Sequence, residues 1–185
     1  GILFTNILSI DANRFNEALD LMDYRGPDAS GYYEKNNLKF GHKRLKILDL
    51  DNRSNQPYFT EDKRFLCIFN GEIYNYKELA KDNDIELKTT CDTELLLKLY
   101  ILKGESMLNR LNGMFSFIIY DSKKDLFFIG RDRLGIKPLY YYHSSEGLII
   151  SSEVNAILKL IKSIEIDDLG KRQYRKLRTF FGGRT

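Results

Sequence analysis

Apolar positions in this chain recur with two different spacings, and the switches between them mark out its elements. Short apolar runs read as buried strands: Gly1–Phe4, Leu38–Phe40, the stretch from Phe65 into Asn70, Met114–Tyr120, Leu126–Ile129, Leu139–Tyr142 and Leu148–Ser151. Polar turns join three pairs of them into hairpins. Lys35-Asn36-Asn37 links Tyr32–Tyr33 to Leu38–Phe40, Asp121–Asp125 links the next pair, and Ser144–Gly147 the last. The second of these hairpins is apolar enough to be buried on both faces.

Helical spacing appears elsewhere. After Asp11, a fair N-cap, Phe15, Ala18, Leu19 and Met22 share one face. Asp92–Lys103 carries Leu95, Leu96, Leu99 and Leu102, with Gly104 where a helix stops. Asn75 with Glu78 three residues on has the form of a capping box for a short helix. Two further helices are expected near Glu153–Ile161 and Asp168–Leu177. Arg25–Gly31 and Asp49–Thr60 are rich in glycine, proline and polar residues and read as loops. Antiparallel strands mixed with amphipathic helices give an α+β layered fold. No repeat or low-complexity linker divides it, so one domain is expected.

Composition narrows the function classes. The 185 residues are 43% hydrophobic and 30% charged, enough for one full core. No apolar run approaches the roughly 18 residues of a membrane span, and no basic segment leads into an apolar one as in a secretory signal. A net charge of +3, from 29 basic and 26 acidic side chains, is too mixed to argue for nucleic acid. The basic stretch Lys171–Arg178 reads as a solvated helix face. Two cysteines, Cys67 and Cys91, and two histidines, His42 and His143, make neither a disulfide framework nor a zinc site. A reduced, cytoplasmic protein follows.

Asn70-Gly71-Glu72 closes an apolar strand, where Asn-Gly is ordinarily a tight turn. The dipeptide also sets a side-chain amide beside a backbone N–H, a pair able to hold an oxyanion. Four more motifs accompany it: Arg25-Gly26-Pro27-Asp28 with Ser30-Gly31, Gly41-His42 leading to Arg44-Leu45, Thr90-Cys91-Asp92-Thr93-Glu94, and Gly130-Arg131-Asp132-Arg133-Leu134-Gly135-Ile136-Lys137-Pro138-Leu139-Tyr140. In this order they resemble the glutaminase domain of class-II glutamine amidotransferases, most closely that of asparagine synthases, over nearly the whole chain.

The resemblance implies the four-layer αββα sandwich of N-terminal-nucleophile hydrolases, which periodicity alone does not give. It implies hydrolysis of glutamine to glutamate and ammonia by an N-terminal cysteine whose own α-amine, titrating near pH 7.7–8, is the base. The family starts Cys-Gly-Ile where this chain starts Gly1-Ile2. The expectation is therefore a nucleophile Cys immediately before Gly1, and the chain without that thiol is expected to be inactive. The competing expectation is a relative that binds glutamine without cleaving it.

By the same resemblance, Asn70 and Gly71 form the oxyanion hole. Arg44 grips the carboxylate of glutamine and Asp92 answers its ammonium with help from Glu72. Backbone groups of Arg44, Leu45, Ile47 and Leu48 complete the pocket. Plainer readings stand beside these: a surface salt bridge for Arg44, a helix N-cap for Asp92, a hairpin turn at Asn70-Gly71. Arg25–Asp28 and Arg131–Arg133 are expected to brace the pocket walls. His42 is expected to be structural, Cys67 a small hydrophobe, and Cys91 without catalytic duty.

No cofactor is expected in this domain. ATP and Mg²⁺ belong to a C-terminal synthetase domain that is absent here and would activate aspartate and receive ammonia. The partners implied are glutamine and that domain, and the resemblance allows a homodimer. The chain is also expected to stop short of the last strands of its domain, near Phe180–Thr185. A polysaccharide-modifying amidotransferase with another acceptor is the alternative within enzymes.

Overall fold

The computed structural model describes residues 1–163 and 167–178. The elements, in chain order, are β1 (Ile2–Thr5), α1 (Ala12–Asp20), β2 (Ala29–Lys35), β3 (Leu38–Arg44), β4 (Tyr58–Phe59), β5 (Phe65–Ile73), α2 (Tyr76–Asp82), α3 (Asp92–Lys103), β6 (Gly113–Asp121), β7 (Leu126–Arg131), β8 (Tyr140–Ser144), β9 (Gly147–Ser151), α4 (Val154–Leu160) and α5 (Asp168–Leu177). The strands form two antiparallel sheets, one ordered β2-β3-β1-β9-β8 and the other β4-β5-β6-β7.

Side-chain alternation along the strands sorts them into layers. Ile2 and Phe4 of β1 point the same way as Phe40 of β3 and meet Leu66, Ile68, Ile118 and Tyr120 of the other sheet. Leu3, between them, faces the opposite side and packs with Phe15, Ala18 and Leu19 of α1 and with Ala156, Ile157 and Leu160 of α4. On the second sheet Cys67, Phe69, Phe117 and Ile119 face outward against Leu95, Leu96 and Leu99 of α3 and Leu79 of α2. Helices, sheet, sheet, helices: the α+β class and the αββα layering are both present.

Local chemistry explains most boundaries. Asp11 accepts from the Arg14 N–H at 2.8 Å and starts α1 as a true N-cap. Gly104, with φ of +60°, ends α3 in a conformation few side chains adopt.

Several expectations need correction. Asn70-Gly71 is not a turn, because β5 runs through it and stays paired with β6 from Phe65↔Asp121 to Ile73↔Gly113. Asn75 makes no capping bond for α2. Its amide instead donates to the Arg110 carbonyl at 2.9 Å and accepts from the Asn112 N–H at 3.0 Å, so it fastens the chain entering β6. Asp92 is the first residue of α3 and Cys91 holds the cap position, without a side-chain bond. β7 is an edge strand with Leu126 and Ile129 exposed, while Phe127 and Phe128 pack half-buried against the cores on its two faces, so the second hairpin is fully buried only along β6. Part of the loop 49–60 is ordered as the short edge strand β4.

The expected helix at Asp168–Leu177 is α5. The expectations at Phe180–Thr185 fall outside the described residues. Among the described residues, no helix is long and apolar enough to cross a membrane.

Candidate active site

The start of β1 lies at one end of the cleft between the sheets. The Gly1 nitrogen donates to the Lys43 carbonyl at 2.6 Å, and Lys43 N–H donates back to the Gly1 carbonyl at 2.8 Å, which locks the first residue of the chain against β3. A cleft opens there, lined by Gly1, His42, Arg44, Asn70, Gly71, Glu72 and Asp92, with Leu45, Ile47 and Leu48 along one wall. All eight residues expected at the site therefore border one cavity, although they come from three separate stretches of sequence.

The parity of β5 sets the orientation of the pair expected to form an oxyanion hole. Phe69 N–H points away from β6 and donates to Gln56 Oε1 at 2.6 Å. Ile73 N–H points the same way and donates to Asp92 Oδ2 at 2.9 Å. Gly71 lies between them, so its N–H emerges on the same edge. Strand β4, which covers this edge further back, reaches only the Tyr58↔Cys67 pair. The Gly71 N–H is left facing the cleft without a strand to receive it. A Cβ at Gly71 would lie 2.2 Å from the Met114 carbonyl oxygen, so only glycine lets β5 sit this close to β6. The Asn70 side chain projects next to it and donates through Nδ2 to Ser152 Oγ at 3.3 Å.

Asp92 is buried beside the end of β5, near Glu72. Burial pushes its carboxyl up to about 6, the Glu72 charge adding to the shift while the Ile73 N–H opposes it. Cys91 beside it is buried, its thiol raised by burial and by the Asp92 charge, as befits a wall residue and not a nucleophile.

Arg44 borders the cleft but its guanidinium is turned into the loop that follows β3. Nη1 donates to the Asp51 carbonyl at 3.0 Å and Asn55 Oδ1 at 2.8 Å, and Nη2 to the Leu48 carbonyl at 3.0 Å and to the Asp49 carbonyl. This is neither a surface salt bridge nor an open fork. Arg44 shapes the wall formed by residues 45–55 and holds it closed around the cleft.

The bracing expected of the other motifs is visible in detail. Asp132 accepts from the N–H groups of Phe115, Leu134, Ile136 and Lys137, and Arg131 donates to the carbonyls of Gly135 and Lys137. Together they wrap the loop that brings Lys137 to the cleft. Arg25 also reaches the cleft and is held by Glu153, its Nη2 2.7 Å from Oε2. Both cations border the buried corner at Gly1. His42 is kept neutral, its pKa pushed well below the usual range chiefly by burial, with the Arg44 charge adding to it. Its Nε2 lies 3.0 Å from the Phe69 carbonyl and bridges the two sheets.

Two participants carried no signal in the sequence. Gln56 sits in the polar stretch read as loop, yet it is buried and orders the edge of β5 through Phe69. Ser152 follows an ordinary apolar strand and meets Asn70 only because the two sheets close together. No spacing rule links either one to the cleft. Among the described residues, no group of three or more His, Cys, Asp and Glu side chains is placed to hold a metal ion.

The sequence and the fold have known counterparts. The chain is 37% identical over 183 residues to a putative glutamine-hydrolysing asparagine synthetase of Methanocaldococcus jannaschii, a match that covers 89% of this chain and 35% of that protein. It is 41% identical over 148 residues to asparagine synthetase B of Escherichia coli, covering 78% and 26%. The chain thus spans about a quarter to a third of the length of these relatives. Its fold matches that of the glutamine phosphoribosylpyrophosphate amidotransferase of B. subtilis with a TM-score of 0.70 at 18% identity, over 86% of this chain and 43% of that one. With residues 2–181 matching the family model described as a glutamine amidotransferase domain, the chain belongs to that family.

Proposed function

We propose that this domain hydrolyses the side-chain amide of glutamine and delivers the ammonia to an acceptor activated elsewhere in a larger protein. The observation that carries the reading is the meeting, in one cleft, of the start of β1, an unengaged backbone donor at Gly71 beside the Asn70 amide, and the buried Asp92 carboxylate. In this reading a cysteine thiolate immediately before Gly1 attacks the carboxamide carbon. The oxygen that becomes negative is held by the Gly71 N–H and Asn70 Nδ2. The neighbouring α-amine takes the thiol proton and returns it to the leaving nitrogen, which departs as ammonia. Water then cleaves the thioester to give glutamate.

Asp92 faces the ammonium of glutamine across the cleft, and Glu72 adds negative charge beside it. The backbone of residues 45–48, shaped by Arg44, receives the carboxylate end. By analogy with its named relatives, the acceptor is aspartate. We place ATP and Mg²⁺ with a separate synthetase domain, and no step here runs through either. Both cysteines are free, which fits the reducing cytoplasm.

The test is the chain extended by one Cys before Gly1, assayed for glutamate and ammonia from glutamine. Release that is abolished by Ser in place of that Cys supports the reading. Glutamine bound with no release overturns hydrolysis and leaves a binding domain.

A further inference from the structure

Three hydrogen bonds converge on Ser152, a fully buried residue just beyond β9. Its N–H donates to the Ile2 carbonyl at 3.0 Å. Its Oγ accepts from the Ile2 N–H at 3.1 Å and from Asn70 Nδ2 at 3.3 Å. Ile2 is one residue from the point where the proposed nucleophile joins β1, and Asn70 belongs to the facing sheet. A single hydroxyl therefore ties the nucleophile's strand to the oxyanion donor.

The geometry of the amide gives this contact a consequence. Asn Nδ2 carries two hydrogens and Oδ1 carries only lone pairs. With one hydrogen engaged by Ser152, the nitrogen is fixed on this side and its second hydrogen remains for a developing anion. Without the hydroxyl, the amide is free to turn by half a rotation and present Oδ1 to that anion, which repels it. We propose that Ser152 is a positioning residue of the oxyanion hole, acting through Asn70. The inference rests on the hydrolase reading above.

The test uses the chain bearing Cys before Gly1, with kcat and KM for glutamine hydrolysis measured for the parent, Ser152→Ala, Asn70→Ala and the double variant. The expected result for Ser152→Ala is a fall in kcat of about 10- to 100-fold with little change in KM, because a misaimed donor costs most where charge develops. In the Asn70→Ala background the same change should cost almost nothing further. Loss of the bond to Ile2 also weakens the fold, so Ser152→Cys, which keeps a weak acceptor of similar size, is run in parallel. It should give an intermediate kcat.

Unchanged kcat in Ser152→Ala, or losses that multiply in the double variant, overturns the role of Ser152 while leaving hydrolysis intact. A parent that releases no ammonia overturns the hydrolase reading, and this inference with it. A purely structural serine would lower the melting temperature and leave kcat and the cycle unaffected.

Discussion

Oδ2 of Asp92 lies 2.9 Å from the backbone nitrogen of Ile73, so the first residue of α3 is bonded to the last residue of β5. The contact holds the carboxylate over the cleft and orders the edge of β5 that carries the Gly71 donor. In the proposed reaction, the group that would face the ammonium of glutamine thereby also stiffens the strand that would hold the oxyanion.

This double role gives a pH dependence. With its carboxyl raised to about 6, Asp92 is largely protonated at pH 5 and ionised at pH 7. An ammonium ligand requires the ionised form, so glutamine affinity measured by calorimetry should weaken as pH falls through about 6 and level off above it. Stability should run the other way. The folded carboxyl holds its proton more tightly than the unfolded one, so its contribution is full below 3.8 and is lost as pH rises through about 6. Asp92→Asn should remove both dependences and weaken glutamine by about 10- to 150-fold, the worth of one charged hydrogen bond. Unaltered affinity in Asp92→Asn would show that the carboxylate does not meet the ligand.

Arg44 makes a different kind of prediction, because four of its bonds go to residues 48–55. Arg44→Lys keeps the charge, but a single ammonium does not reproduce the planar fork. The expected loss is about 1–3 kcal/mol of stability, as half-buried carbonyls lose their donors. Hydrogen exchange should accelerate in residues 48–55 even with no glutamine present. Exchange there at the parent rate would return Arg44 to a role confined to the substrate.

Asn70→Ala, in the chain bearing Cys before Gly1, separates binding from chemistry. Its donor gains value only as the carbonyl oxygen becomes negative, so kcat should fall by about 10²–10³ while KM moves little. A raised KM with kcat near the parent value would make Asn70 a ground-state contact.

Gly71→Ala tests the close approach of β5 to β6. The added methyl meets the Met114 carbonyl at 2.2 Å, and backbone cannot turn aside as a side chain does. Strand separation at this point should cost about 1–3 kcal/mol, the usual range for overpacking, and should move the Gly71 N–H away from the cleft. Thermal unfolding and glutamine hydrolysis should therefore fall together. A variant as stable as the parent would show that the strands have room to part.

By itself the sequence determined the kinds of element, and in outline their positions. Alternation and helical spacing are local consequences of which side chains must leave water, so β1, β6, α1 and α3 are legible from Phe4, Ile118, Phe15 and Leu95 alone. The ordered motifs also singled out Asn70, Gly71, Arg44 and Asp92, which meet at one cleft. Only the tertiary structure decided what those residues do there. Asn70-Gly71 reads locally as a turn, but pairing with β6 outweighs that preference and holds it extended. Asn75 and Asp92 have the form of caps, yet partners at Arg110 and Ile73 claim their side chains. Arg44 looks like an open fork until residues 48–55 fold over it. Ser152 and Gln56 carried no signal, since nothing along the chain records which polar side chain a distant strand will bring within 3.5 Å. Periodicity is set by each residue's own exchange with water, whereas a hydrogen bond between sheets is set by two segments at once. That pairing exists only after the layers have closed.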